Sequence, residues 1–230
     1  MNQTLLAQPH HSLWNRAMFD TPTGYSRRSA MLRGIGLMAS IAAPALSLPA
    51  LAQTRLQPTP SQTEGPFYPA SLPSDSDFDL LRTGGLAYGK GQPAWINGVV
   101  TDTRGVPMAG AVVEIWQCDQ DGHYHHPRDG AKADPAFQGF GRVTVGRDGR
   151  YRFRTLRPAP YGGRTPHIHV KVRLGRQELL TTQMYVAGDP GNRRDVLWRL
   201  LGERGQAALT RPFIAGDGGL QADFPIVVKV

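Results

Sequence analysis

From Ile168 the chain alternates strictly: Ile168, Val170, Val172 and Leu174 are apolar, while His169, Lys171 and Arg173 between them are polar. A period of two predicts a half-buried β-strand. Side chains two apart share a strand face, about 6.5–7 Å apart at the backbone, so His167 and His169 point the same way. Pro166 cannot donate to a ladder and suits the first position of the strand. Ahead of it, Pro158, Pro160, Gly162 and Gly163 mark a loop that can fold Tyr161 and Arg164 back over the same spot. Such a face is either a solvated sheet surface or, because imidazole ligates readily, a place for one ion.

The same patterning recurs along the chain. Trp95–Asp102 and Ala111–Cys118 read as strands joined by a turn over Thr103–Pro107, and loop signals fill residues 119–138. Gly141–Val145 and Arg150–Leu156 flank Gly146-Arg147-Asp148-Gly149, which predicts a hairpin with an Asp-Gly turn. Glu178–Val186 reads as a strand, Val196–Leu201 as a short helix and Phe224–Val230 as a closing strand. Residues 53–93, rich in Pro, Gly, Ser and Asp, form an irregular lead-in. Short strands at regular spacing with turn chemistry between them predict an all-β sandwich with long loops and little helix.

Residues 1–52 read differently. Arg27-Arg28 precede an apolar run, Ile35–Leu51, interrupted by Gly36, Pro44 and Pro49 and closed by the small-x-small signal Ala50-Leu51-Ala52. This resembles a twin-arginine export signal cleaved before Gln53, which implies a periplasmic or secreted protein. The prolines and the short run argue against a membrane anchor. That leaves 53–230 as one domain with a substantial core. Cys118 is the single cysteine, so no intramolecular disulfide can brace the core. The formal net charge of +8 is dispersed, with no basic run and no nucleic-acid-binding motif. A mildly positive surface favours small anionic substrates.

A second cluster sits after the Trp116 strand: Asp119, Asp121, Gly122, His123, Tyr124, His125 and His126. The acidic spacing and the missing terminal Glu do not fit a calcium loop. His123, His125 and His126 suit a polar loop tip, lining at most the mouth of a site.

Taken together these segments resemble the intradiol ring-cleavage dioxygenases, the protocatechuate and catechol dioxygenase family, over nearly all of 53–230. The matching stretches are Thr63-Glu64-Gly65-Pro66-Phe67-Tyr68-Pro69, then Asn97–Val100 through Gly105-Val106-Pro107, and Gly110–Gln117 to Gly122-His123-Tyr124. They continue with Tyr161, Arg164, His167 and His169, and with Thr182-Gln183-Met184-Tyr185. The Gly-x-Val opening is common to transthyretin-like sandwiches. Two tyrosines, an arginine three before the first histidine and the H-x-H are far more specific together.

The resemblance implies a non-haem Fe(III) ion held by Tyr124, Tyr161, His167 and His169, with solvent hydroxide in the fifth place. Hard phenolate donors favour the ferric state. It further implies that a catechol chelates the ion, that Tyr161 is displaced and serves as general base, and that Arg164 stabilises charge on the ring. Gln183 is implied to lie near the substrate. Both atoms of O2 enter the ring between the hydroxyls, giving a cis,cis-muconate-type diacid. Only Gly162 and Gly163 separate Tyr161 from Arg164, a shorter wall than in protocatechuate enzymes. The family often assembles as homo-oligomers. Two other classes stay open: a copper or zinc sandwich using His167, His169 and loop histidines, and a transthyretin-like binding module without metal.

Overall fold

The computed structural model describes residues 55–230; the leader and export signal expected over 1–52 lie outside the described residues. Two short strands, β1 (Arg82–Thr83) and β2 (Leu86–Ala87), pair within the lead-in. The body is built from β3 (Pro93–Asp102), β4 (Val112–Trp116), β5 (Phe140–Thr144), β6 (Arg150–Leu156), β7 (His167–Leu174) and β8 (Gln177–Val186). Two helices follow, α1 (Val196–Arg199) and α2 (Gly202–Leu209), then β9 (Thr210–Arg211), β10 (Ile214–Gly216), β11 (Gly219–Asp223) and β12 (Ile226–Val228).

They form two five-stranded sheets. In one, β3 lies between β6 and the successive parallel strands β11 and β12, with β10 outside β11. In the other the order is β5-β4-β7-β8-β9. The inner faces bury Ile96, Val100, Phe153 and Leu156 against Val113, Ile115, Ile168, Val170 and Val172. The sandwich expected from the spacing of short strands is present, with α-helix confined to the segment after β8.

The hairpin expected around Asp148-Gly149 is not there. Gly149 does turn tightly, donating its amide to Gly146 O at 3.0 Å, yet β5 pairs with β4 and β6 with β3. The turn is a corner between sheets. A Cβ on Gly149 would stand 2.6 Å from Val100 O, so this crossing needs glycine. Sequence alternation is identical for strands that pair with each other and strands that pass to opposite sheets, which is why the two look alike.

The second departure decides where the chemistry sits. Alternation predicts a half-buried β7, but six consecutive residues from His167 to Val172 are buried on both faces. Its outer face is covered by residues 59–69, which cross the sheet as a strap. Gln62 N donates to Thr181 O at 2.9 Å, closing part of the β8 edge. Gln183 Nε2 donates to Thr63 O at 3.0 Å and Tyr68 OH to Glu114 Oε2 at 2.9 Å. Lys171, beneath the strap, bonds Glu64, lies 3.3 Å from Glu178 and stands 3.9 Å from the Tyr68 ring centroid. Part of the irregular lead-in is thus a fitted cover. No helix among the described residues is long and apolar enough to cross a membrane.

Candidate metal centre

Register places the centre. Trp116 on β4, His169 on β7 and Gln183 on β8 are successive partners across the sheet, and His167 is paired with Tyr185. All project from the outer face, opposite the core residues Ile168 and Val170. His167 Nε2 and His169 Nε2 lie 3.2 Å apart. His167 Nδ1 donates to Thr165 O at 2.6 Å, which fixes the tautomer and leaves the Nε2 lone pair free. Trp116 stacks on the His169 ring at 4.8 Å and 9°. Burial, reinforced by the Arg164 charge, depresses His167 to about 4; burial and the neighbouring His167 hold His169 well below the usual imidazole range. Both rings are neutral at pH 7.

The tyrosines arrive from two loops. After β4, Asp119 Oδ1 accepts from the amides of Asp121 and His123 at 2.9 and 3.0 Å, and its Oδ2 accepts from Asp134 N at 2.9 Å. Asp129 Oδ2 accepts from Tyr124 N at 2.7 Å. These carboxylates organise the loop backbone and so aim Tyr124 inward, where it is 2% exposed. The second loop is a tight turn in which Arg164 N donates to Tyr161 O at 2.7 Å. Gly162 and Gly163 have φ of 49° and 78°, the conformation this two-residue turn demands. The glycine pair therefore folds Tyr161 and Arg164 back over the histidines, as expected.

The four rings meet. Tyr124 and Tyr161 centroids are 4.8 Å apart, Tyr161 and His167 are 5.3 Å apart, and Tyr124 and His169 are 6.1 Å apart. Phe67 of the strap stacks on Tyr124 at 4.6 Å. Tyr124 Oη is buried with no hydrogen-bond partner, and burial, then the adjacent Tyr161, pushes its pKa well above the ordinary phenol value. An unpaired buried phenol next to two neutral imidazoles is costly unless something cationic completes it. Two nitrogens 3.2 Å apart suit one ion with metal–nitrogen distances of about 2.0–2.1 Å. The donor set fits a hard, trivalent ion. Among the described residues no three His, Cys, Asp or Glu side chains converge; the oxygen-bearing rings beside the histidine pair are Tyr124 and Tyr161.

The loop histidines turn elsewhere. His125 Nε2 meets Asp134 O and Phe137 O, His126 Nδ1 accepts from Arg128 N, and His123 Nδ1 lies 3.3 Å from Asp129 Oδ2. They lie outside the ring cluster, as their polar loop suggests. His126 comes nearest, edge-on to Phe67 at 5.7 Å.

Arg164 is held from two sides. Its Nε donates to Asp195 Oδ2 at 2.7 Å and its Nη2 to Gln183 Oε1 at 2.7 Å. Gln183, fully buried, also accepts from Tyr185 OH at 3.0 Å. It therefore orients Arg164 and ties it to the strap through Thr63. Tyr185, Trp116, Phe67 and Asp195 join the site although the local sequence does not mark them as site residues. For Asp195 the one available signal is its place before a short helix, where its Oδ1 accepts from Trp198 N at 3.1 Å.

The family model described as Dioxygenase matches residues 63–198. Among curated relatives, hydroxyquinol 1,2-dioxygenase of Corynebacterium glutamicum is 35% identical over 145 residues, 55% of this chain and 45% of that protein. The protocatechuate 3,4-dioxygenase beta chain of Burkholderia cepacia is 36% identical over 141 residues, covering 54% and 58%. The chain spans about half the length of the curated relatives it matches. Among solved structures, the dioxygenase domain of a carbohydrate-binding fusion from Streptomyces sp. SirexAA-E superposes with a TM-score of 0.61 at 31% identity, covering 76% of this chain and 99% of that one.

Proposed function

This chain belongs to the dioxygenase family, and from that premise we propose that it is an intradiol enzyme, cleaving a catechol between its two hydroxyls with O2 to a cis,cis-muconate-type diacid. Tyr124, Tyr161, His167 and His169 would hold a non-haem Fe(III) ion. One observation carries the reading: two neutral imidazoles and two phenols converge beside an immobilised guanidinium. When bound, the ferric ion would act as a Lewis acid that makes a chelated diphenolate reactive toward O2.

The chain's own groups divide the remaining work. Tyr124 is sealed beneath Phe67, whereas Tyr161 is only half-buried and sits on a two-glycine turn, so Tyr161 is the phenol free to swing. Burial raises the Tyr161 phenol, with the Arg164 charge pulling it back. As a phenolate, its Oη would accept a proton from a substrate hydroxyl, a transfer the raised value favours. Arg164, fixed by Asp195 and Gln183, offers a preorganised positive charge where negative charge develops on the ring. Phe67 and the strap exclude water from that side.

The export signal over 1–52 is part of the same proposal. N-terminal sequencing of the protein recovered from a secreting host should begin at Gln53; a cytoplasmic product starting upstream would refute it.

The decisive measurement is the visible spectrum of iron-loaded protein, before and after a catechol is added without oxygen. A broad tyrosinate charge-transfer band, shifting to longer wavelength with catechol, is expected. Tyr124→Phe should bleach it. A colourless iron-containing protein would end the assignment.

A further inference from the structure

Beside the centre lies an open cleft of about 570 Å³. One wall is the Tyr161–Arg164 turn and the other is the turn that runs from Asp189 to Arg194. Three guanidinium groups line it, from Arg157, Arg164 and Arg194, against one carboxylate, Asp189. We propose that this cleft selects catechols whose ring carries an anionic substituent, a carboxylate on a short side chain, received by Arg194 with Arg157. The inference rests on the intradiol reading of the centre and names the substrate class within it.

The three arginines are not equivalent. Arg164 is held in place by Asp195, Gln183 and Tyr185, and that position serves the reacting ring rather than a substituent. Arg157 faces Asp189 at a long 3.6 Å, and that carboxylate also accepts from Gly191 N at 2.9 Å and from Thr165 Oγ1 at 3.4 Å. Among the described residues Arg194 has no carboxylate within ion-pair distance, and its side chain is exposed. Its backbone is nevertheless anchored. Arg194 N donates to Gly191 O at 2.9 Å, and Asn192 ties the turn to Val186 O at 2.8 Å and to Thr165 Oγ1 at 2.8 Å. A free guanidinium on a rigid turn is a ready receptor for a carboxylate, which it can grip with two parallel hydrogen bonds.

The facing wall leaves room for the substituent. Gly162 and Gly163 present no side chain, and a Cβ on either would meet nothing within 4 Å. The cleft lies in the range of about 300–1,000 Å³ that takes ligands larger than one diphenol ring. A neutral substituent would leave Arg194 to water; an anionic one gains an ion pair there. The two curated relatives are named for different substrates, hydroxyquinol for one and protocatechuate for the other, so relationship alone does not choose.

The test uses the iron-loaded enzyme and a matched pair, dihydroxyphenylpropionate and uncharged propylcatechol. We expect kcat/KM to favour the acid by roughly tenfold at low salt, chiefly through KM, with the preference shrinking as salt screens the pair. Arg194→Gln should cut that preference about three- to tenfold, Arg194→Lys less, and Arg194→Gln with Arg157→Gln most. Equal or better use of propylcatechol, or variants that lower both substrates alike, would overturn the proposal. If neither diphenol is cleaved and neither shifts the visible band, the intradiol reading fails with it, and the spectrum identifies that case.

Discussion

The outer faces of the two sheets begin from the same sequence pattern and end in opposite states. On the first, Arg152 lies over Trp95 at 3.8 Å and Asn97 bonds Gln221 at 3.2 Å, in a layer that reaches solvent. On the second, Glu114, Trp116, His167, His169, Lys171 and Gln183 are each at most 3% exposed. Both faces alternate polar with apolar residues. The difference is a strap of about ten residues over one of them. Polar side chains that would be solvated decoration become a dry, hydrogen-bonded layer, and dryness is what pushes the imidazoles down and the phenols up and strengthens the field of the guanidinium beside them.

The sharpest break of that contrast is to remove the cation buried beneath the strap. Lys171→Ala removes the cation that bonds Glu64 and lies near Glu178, both of which still reach water, and empties the space beneath Tyr68; the lost packing should cost about 2–3 kcal/mol in denaturant unfolding. Arg152→Ala on the uncovered face should cost about 0.5–1 kcal/mol, the worth of an exposed cation–π contact. Equal losses would mean that the cover contributes nothing. Gly65→Ala should follow at about 1–2 kcal/mol, because Gly65 has φ of 76° and its Cβ would stand 3.1 Å from His169 Cε1. Iron uptake should weaken with it, read as loss of the visible band per mole of protein; an unchanged band would detach the strap from the metal site.

The smallest effect expected is on pH dependence. Burial pushes the Asp195 carboxyl up, but Arg164, Thr165 N and Trp198 N together hold it below its ordinary value. Its folded pKa is therefore lower than the unfolded value near about 3.9, so the unfolded state binds the proton first. This stability is present above about pH 4 and is lost as pH falls through the folded pKa. Asp195→Asn should flatten the melting-temperature profile on that acid limb and lower kcat, since Arg164 loses its anchor. A profile identical to that of the parent would remove Asp195 from the account.

Much of this site is legible in the chain itself. The alternation at Ile168–Leu174 puts both histidines on one face, and Gly162-Gly163 announces the turn that returns Tyr161 and Arg164. Asp195 stays hidden because it reaches Arg164 across 31 positions of chain. Tyr185 stays hidden because a tyrosine on an alternating strand looks the same whether it faces core, solvent or site. The corner at Gly149 passes for a hairpin for a related reason: turn chemistry fixes a local bend, and the partner of the next strand lies far away in sequence.

The sequence by itself determined the longer strands, their turns and the types of donor available, because those depend on backbone geometry and on neighbours two to four residues away; it left β9, β10, β11 and α2 unmarked. Tertiary structure decided which sheet each strand joined, that residues 59–69 cover the histidine face, and that Arg164 is fixed by Asp195 and Gln183. Those outcomes depend on the burial and hydrogen bonding of groups distant in the chain, and a local pattern carries no record of what will cover it.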